Sequence, residues 1–147
     1  DIREKSEYQL TNALENMKSK GKQFTAGKVA EWLDCGNKNA TVFTNQRILE
    51  HLKKEVLNRP DVIIENSVIT EPCFIGEGSV IKNTKIGPHV SVGKNCQIEN
   101  ATIQNSIIQE NCHITNANFH NSMLGRFVKY DGKSQQLSLS DYSTQLD

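Results

Sequence analysis

The chain has 147 residues and is electrically balanced, 17 Lys and Arg against 17 Asp and Glu, with a pI near 7.1. This balance excludes the basic footprint of a nucleic-acid binder or of a protein held on an anionic membrane, and no apolar run reaches the roughly 20 residues of a membrane-spanning helix. Four cysteines without a CxxC pair, and an opening that carries no signal peptide, make the cytoplasm the expected setting.

Tyr8, Ala13, Leu14 and Met17 recur at near-helical spacing and predict a first helix within residues 7–20, stopped by Lys20, Gly21 and Lys22. Residues 24–29 are expected to form a strand or two around Gly27, leading to Glu31-Trp32-Leu33-Asp34-Cys35-Gly36. A second helix fits residues 39–56, with Asn39 as its cap and Val42, Ile48, Leu49, Leu52 and Val56 as its apolar face. Pro60 ends it. Lys and Glu are dense before Pro60 and sparse after it, so the boundary between two modules is placed there.

From Ile64 onward an aliphatic or aromatic residue returns every five or six positions: Ile64, Ile69, Ile75, Ile81, Ile86, Val92, Ile98, Ile103, Ile108, Ile114, Phe119 and Leu124. Neither a 3.6-residue helix nor one long strand produces that period. Two residues before almost every one stands a small or thin side chain, among them Ser67, Cys73, Ser79, Thr84, Cys96, Ala101, Ser106, Cys112 and Ser122. Residues at i−2 and i of an extended chain point the same way, so each unit is a short strand with two inward side chains. Such units stack into a parallel β-helix. Taken in threes they make three faces: Ile64, Ile81, Ile98 and Ile114; Ile69, Ile86, Ile103 and Phe119; Ile75, Val92, Ile108 and Leu124. Asn66, Asn83, Asn100 and Asn116 hold one place on the first face, where a tolerance for left-handed backbone makes them a structural corner, with amides placed to bond from coil to coil. Cys73, Cys96 and Cys112 fall on inward positions and are expected to be free thiols. The residues after 128 form a tail, either a last irregular coil or a strap across the end.

The stretches Glu7-Tyr8-Gln9-Leu10-Thr11-Asn12-Ala13-Leu14 and Glu31-Trp32-Leu33-Asp34-Cys35-Gly36-Asn37, followed by hexapeptide repeats, resemble the end of a sugar-1-phosphate nucleotidyltransferase of the glucose-1-phosphate thymidylyltransferase type. The resemblance implies three parts: a C-terminal remnant of the catalytic domain over residues 1–59, a left-handed β-helix over 60–128, and the tail over 129–147. The left hand comes from the resemblance alone, because the general crossover rule favours the right. It also implies a parent enzyme that joins a nucleoside triphosphate to a sugar-1-phosphate with Mg²⁺, glucose and a thymidine or uridine nucleotide being favoured. In that family Asp34 matches one of two Mg²⁺-holding Asp residues. The second Asp and the Gly-rich triphosphate loop belong to earlier parts of the domain, so this 147-residue piece is expected to be inactive alone, with no catalytic residue of its own. Asn12 and Cys35 depart from the family pattern of Asp and of Thr or Val. Trp32 and Gly36 read as packing and turn residues beside Asp34.

Two other readings of the repeat stay open. A hexapeptide acyltransferase would need a catalytic His, for which His89, His113 and His120 are the candidates; each reads as a surface His, with no inserted loop around it. A purely structural oligomerisation module would use outward apolar residues, including Val68, Val80, Ile107 and Met123, as a contact face between copies.

Overall fold

The computed structural model describes residues 3–4, 7–52, 61–132 and 138–145, and divides into two compact units, Asp1–Trp32 and Leu33–Asp147. The first contains a two-residue strand pair, β1 (Arg3–Glu4) and β2 (Glu7–Tyr8), and helix α1 (Leu10–Ser19). α1 stops where the sequence predicts, and the stop is a Schellman turn. Gly21 takes a φ of +79°, its N–H donates to Lys18 O at 3.0 Å, and Lys22 N–H donates to Met17 O at 3.1 Å. The strand expected over residues 24–29 does not form. Strand hydrogen bonds need a partner edge, no described strand lies alongside, and Phe24 and Val29 are exposed.

Helix α2 (Lys38–His51) belongs to the second unit. Its cap is Asn37, whose Oδ1 accepts the Ala40 N–H at 3.0 Å, and not Asn39. Asn39 instead turns its Oδ1 to the Nδ2 of Asn121. The helix gives way to extended backbone at Leu52; Val56 and Pro60, with the expected module boundary, lie outside the described residues. Of the apolar face only Val42 and Leu49 are buried, while Ile48 is exposed.

The rest of the second unit is a parallel β-solenoid with three sheets. The first face stacks Ile63–Glu65, Val80–Lys82, Gln97–Glu99, His113–Thr115, Lys129–Asp131 and Thr144–Gln145. The second stacks Val68–Ile69, Lys85–Ile86, Thr102–Gln104 and Asn118–His120. The third stacks Cys73–Ile75, Val90–Val92, Ile107–Ile108, Met123–Leu124 and Ser138–Leu139. The register is the one the period implies, Ile64 on Ile81 on Ile98 on Ile114 on the first face, then Tyr130. The described strands of the expected tail, Lys129–Asp131, Ser138–Leu139 and Thr144–Gln145, therefore extend the solenoid's sheets. Inside it Phe119 and Tyr130 meet at 4.9 Å between ring centroids.

The small inward residues join coils as well as filling space. Buried Ser79 donates to Gly93 O and accepts the Cys96 N–H; Thr84 donates to Lys82 O and accepts the Ala101 N–H; Ser106 donates to Gln104 O and accepts the Ser122 N–H. A buried hydroxyl that both donates and accepts leaves no uncompensated polar group.

Three corner rows turn the chain. Asn66, Asn83, Asn100 and Asn116 have φ between 46° and 53°. Two further rows go beyond the corner that the sequence predicts: His89, Asn105 and Asn121, and, after Gly78, Asn95, Asn111, Phe127 and Tyr142. In each row the backbone N–H reaches the preceding coil, as from Asn100 to Lys82 O, Asn105 to Pro88 O and Asn111 to Lys94 O. These backbone donors link coil to coil at the corners, and among the described residues the corner amides make no ladder, Asn116 Nδ2 donating instead to Asp131 Oδ1 of the next coil. Gly76, Gly93 and Gly125 end three third-face strands where the next coil passes so close that a Cβ would sit 2.4 to 2.6 Å from its backbone.

Candidate functional site

The loop before α2 is built on the helix itself. Thr44 Oγ1 donates to Asp34 O at 2.8 Å, Thr41 Oγ1 donates to Cys35 O at 3.3 Å and to Asn37 O at 2.9 Å. Asp34 Oδ1 accepts the N–H of Cys35 at 2.8 Å, and its Oδ2 lies 3.0 Å from where a Cβ on Gly36 would be. The carboxylate is exposed and half committed to its own turn. Trp32, expected to pack, is 83% exposed.

A Mg²⁺ ion demands near-octahedral oxygen ligation. No group of three or more His, Cys, Asp or Glu that could hold a metal occurs among the described residues. Asp34 thus offers one carboxylate oxygen free of its turn, which by itself is less than a magnesium site.

The solenoid places its histidines apart. His89 stands at the second corner with its Nε2 3.2 Å from Glu50 Oε1 of α2, and Glu50 also pairs with Arg47. His113 Nδ1 lies 3.1 Å from Gln97 Oε1 across adjacent first-face coils, and His120 points outward from the second face. The shallow hollow on the first face, about 320 Å³, is lined by Val80, Lys82, Gln97, Glu99, His113 and Thr115. Its Lys82 is paired with Glu65 of the first coil at 3.0 Å.

Among the outward apolar residues, Val68 is 59% exposed, whereas Ile107 and Met123 are half-buried in the third-face row that continues from Ser91. α2 lies along this side of the solenoid: Lys38 Nζ donates to Asn121 O, Ser91 Oγ donates to Asn45 Oδ1 at 2.6 Å, and Glu50 reaches His89. Part of the contact face expected between copies is thus flanked by the chain's own helix.

The inward cysteines are free thiols. Burial pushes Cys73 up to about 11, and its Sγ donates to Thr70 O at 3.0 Å. The neighbouring Cys112 thiol and burial together push Cys96 up as well. Each of this pair donates to a carbonyl, Cys96 to Gln109 O and Cys112 to Gly125 O. These are core residues and not nucleophiles.

No protein-family profile matches the sequence. Glucose-1-phosphate thymidylyltransferase of Streptomyces antibioticus is 28% identical over 141 residues, covering 85% of this chain and 40% of that protein. The chain is similar to the sugar-1-phosphate nucleotidyltransferases. The thymidylyltransferase of Streptomyces griseus is 24% identical over 119 residues, covering 71% of this chain and 34% of its own length. The chain thus spans well under half the length of these nucleotidyltransferases. Among solved structures, the acetyltransferase domain of PglB from Neisseria gonorrhoeae is 17% identical, covers 59% of this chain and 44% of that domain, and superposes with a TM-score of 0.29.

Proposed function

We propose that this chain is the C-terminal part of a sugar-1-phosphate nucleotidyltransferase. Its parent joins a nucleoside triphosphate to a sugar-1-phosphate and releases pyrophosphate, and its solenoid serves assembly or regulation. The observation that carries the reading is the similarity to the Streptomyces antibioticus enzyme across 85% of the chain. Glucose-1-phosphate and a thymidine or uridine nucleotide are the favoured substrates, and the cytoplasm the favoured setting. The state of the first unit supports the reading. α1 buries none of its residues, and Leu10 and Trp32 are 74% and 83% exposed. A ten-residue helix is marginal in water by itself, so this unit calls for further protein to pack against. Asp34 is then one of several oxygen ligands for a Mg²⁺ ion, the others coming from substrate phosphates and from the remainder of the catalytic domain.

The test has two arms. Mixed with thymidine triphosphate, Mg²⁺ and glucose-1-phosphate, the 147-residue chain releases no pyrophosphate; turnover would overturn its assignment as an inactive part. The intact mass of the protein made from the source reading frame is expected to exceed that of this chain by a whole catalytic domain. A product of the same mass as this chain would overturn the parentage.

A further inference from the structure

The third corner breaks its own pattern. Asn95 and Asn111 occupy its left-handed positions in two coils, but Phe127 and Tyr142 occupy the next two, with φ of 57° and 61°. A bulky residue at positive φ is an outlier, and strain of this kind points from the backbone to a use. Both rings lie outside the core, 40% and 74% exposed, stacked at 4.7 Å between centroids and within 5° of parallel. Asn at these positions would turn the chain without strain and without exposing apolar surface.

Beside each turn residue runs a second pattern. The positions just before the corner are Glu77, Lys94, Glu110, Arg126 and Asp141, so charge alternates from coil to coil along the ridge. Lys94 pairs with Glu77, Arg126 Nε lies 3.5 Å from Glu110 Oε1, and Asp141 Oδ1 accepts the N–H of Arg126.

We propose that the Phe127–Tyr142 ridge is a self-association surface, on which two copies of this chain meet about a two-fold axis perpendicular to the ridge. The axis passes between the coils of Arg126 and Asp141. Placed there, it sets Phe127 of each copy against Tyr142 of the other, and Arg126 of each against Asp141 of the other. An axis one coil earlier also matches charge, Glu110 against Arg126, but sets the aromatic rings against Asn. Only the first placement satisfies both patterns, and a two-fold contact requires such self-complementarity. The inference rests on reading the solenoid as an assembly module and names the surface and the partner for it.

Sedimentation equilibrium of the whole chain tests it. The average mass of the unsubstituted chain is expected to rise with concentration from 16.5 kDa toward twice that value. The double variant Phe127→Asn, Tyr142→Asn carries the row's own residue type and is expected to keep its β circular dichroism while remaining at the monomer mass. Arg126→Asp and Asp141→Arg chains are each expected to associate weakly alone and to recover association when mixed. Association unchanged in the Asn variant overturns this surface while leaving assembly through another face intact. A monomer at every concentration overturns the surface and the assembly reading together.

Discussion

Gly93 shows how tightly the coils are wound. A Cβ there would lie 2.5 Å from the backbone N of Glu110, an atom that cannot step aside without moving a coil. Gly93→Ala is expected to destabilise the fold by about 1–3 kcal/mol in urea unfolding, the usual cost of overpacking. Gly27→Ala, where nothing lies within 4 Å, serves as the contrast and is expected to change little. Cys73 makes a prediction about pH. Burial raises its thiol to about 11 in the folded chain, whereas an unfolded thiol titrates near 8.5. Between those values the unfolded state has lost its proton and the folded state still holds it, so ΔG of unfolding falls as pH rises through the window. Stability measured from pH 8 to 11 is expected to decline, and Cys73→Ala is expected to flatten part of that decline. Its thiol should also resist a disulfide reagent at neutral pH, at which exposed Cys35 reacts.

At the scale of elements, α2 is held by a cap at one end and by two buried side chains along its length. Asn37→Ala removes the acceptor for the Ala40 N–H and is expected to cost about 1 kcal/mol. Leu49→Ala leaves a cavity at a position 2% exposed and is expected to cost about 2–5 kcal/mol if α2 unfolds together with the coils. Hydrogen exchange separates the cases. If amides of α2 lose protection in Leu49→Ala while those around Ile98 keep theirs, the helix opens as a unit of its own. The cap also shows where sequence reading failed. Asn37 and Asn39 are equally good capping residues by type, and the choice fell to Asn121, which engages Asn39 from 82 positions away. The strand expected over residues 24–29 failed for a related reason, since its local propensity had no partner edge among the described residues to pair with.

Over the whole molecule, the solenoid is quasi-one-dimensional, each coil meeting only its neighbours. Ile64, inward by pattern, is 47% exposed at the first coil, whereas Ile98, Ile103 and Ile108 are at most 1% exposed. Opening is therefore expected to begin at the first coil, with amides of Ile63–Glu65 exchanging faster than those of Gln97–Glu99 and Thr102–Gln104. The reverse order of protection would show that something covers the first coil in solution.

The period of five and six was enough by itself to establish the parallel solenoid, its three faces and its register, because an inward residue must recur at each strand and every coil repeats the same requirement. The two further corner rows were legible too, in Asn95 and Asn111 and in Asn105 and Asn121, each sixteen positions apart. The alternating charges from Glu77 to Asp141 ran beside them. Tertiary structure alone decided what does not repeat: that α2 lies along the solenoid between Asn121 and His89, that Asn37 is its cap, and that strands at Lys129–Asp131, Ser138–Leu139 and Thr144–Gln145 extend the sheets. It also decided that Phe127 and Tyr142 stack outside the core. The physical reason is range. A repeat writes the same local demand many times over a short window, whereas a docked helix or an exposed aromatic pair depends on single contacts between residues remote in sequence or on a choice of side that period does not encode.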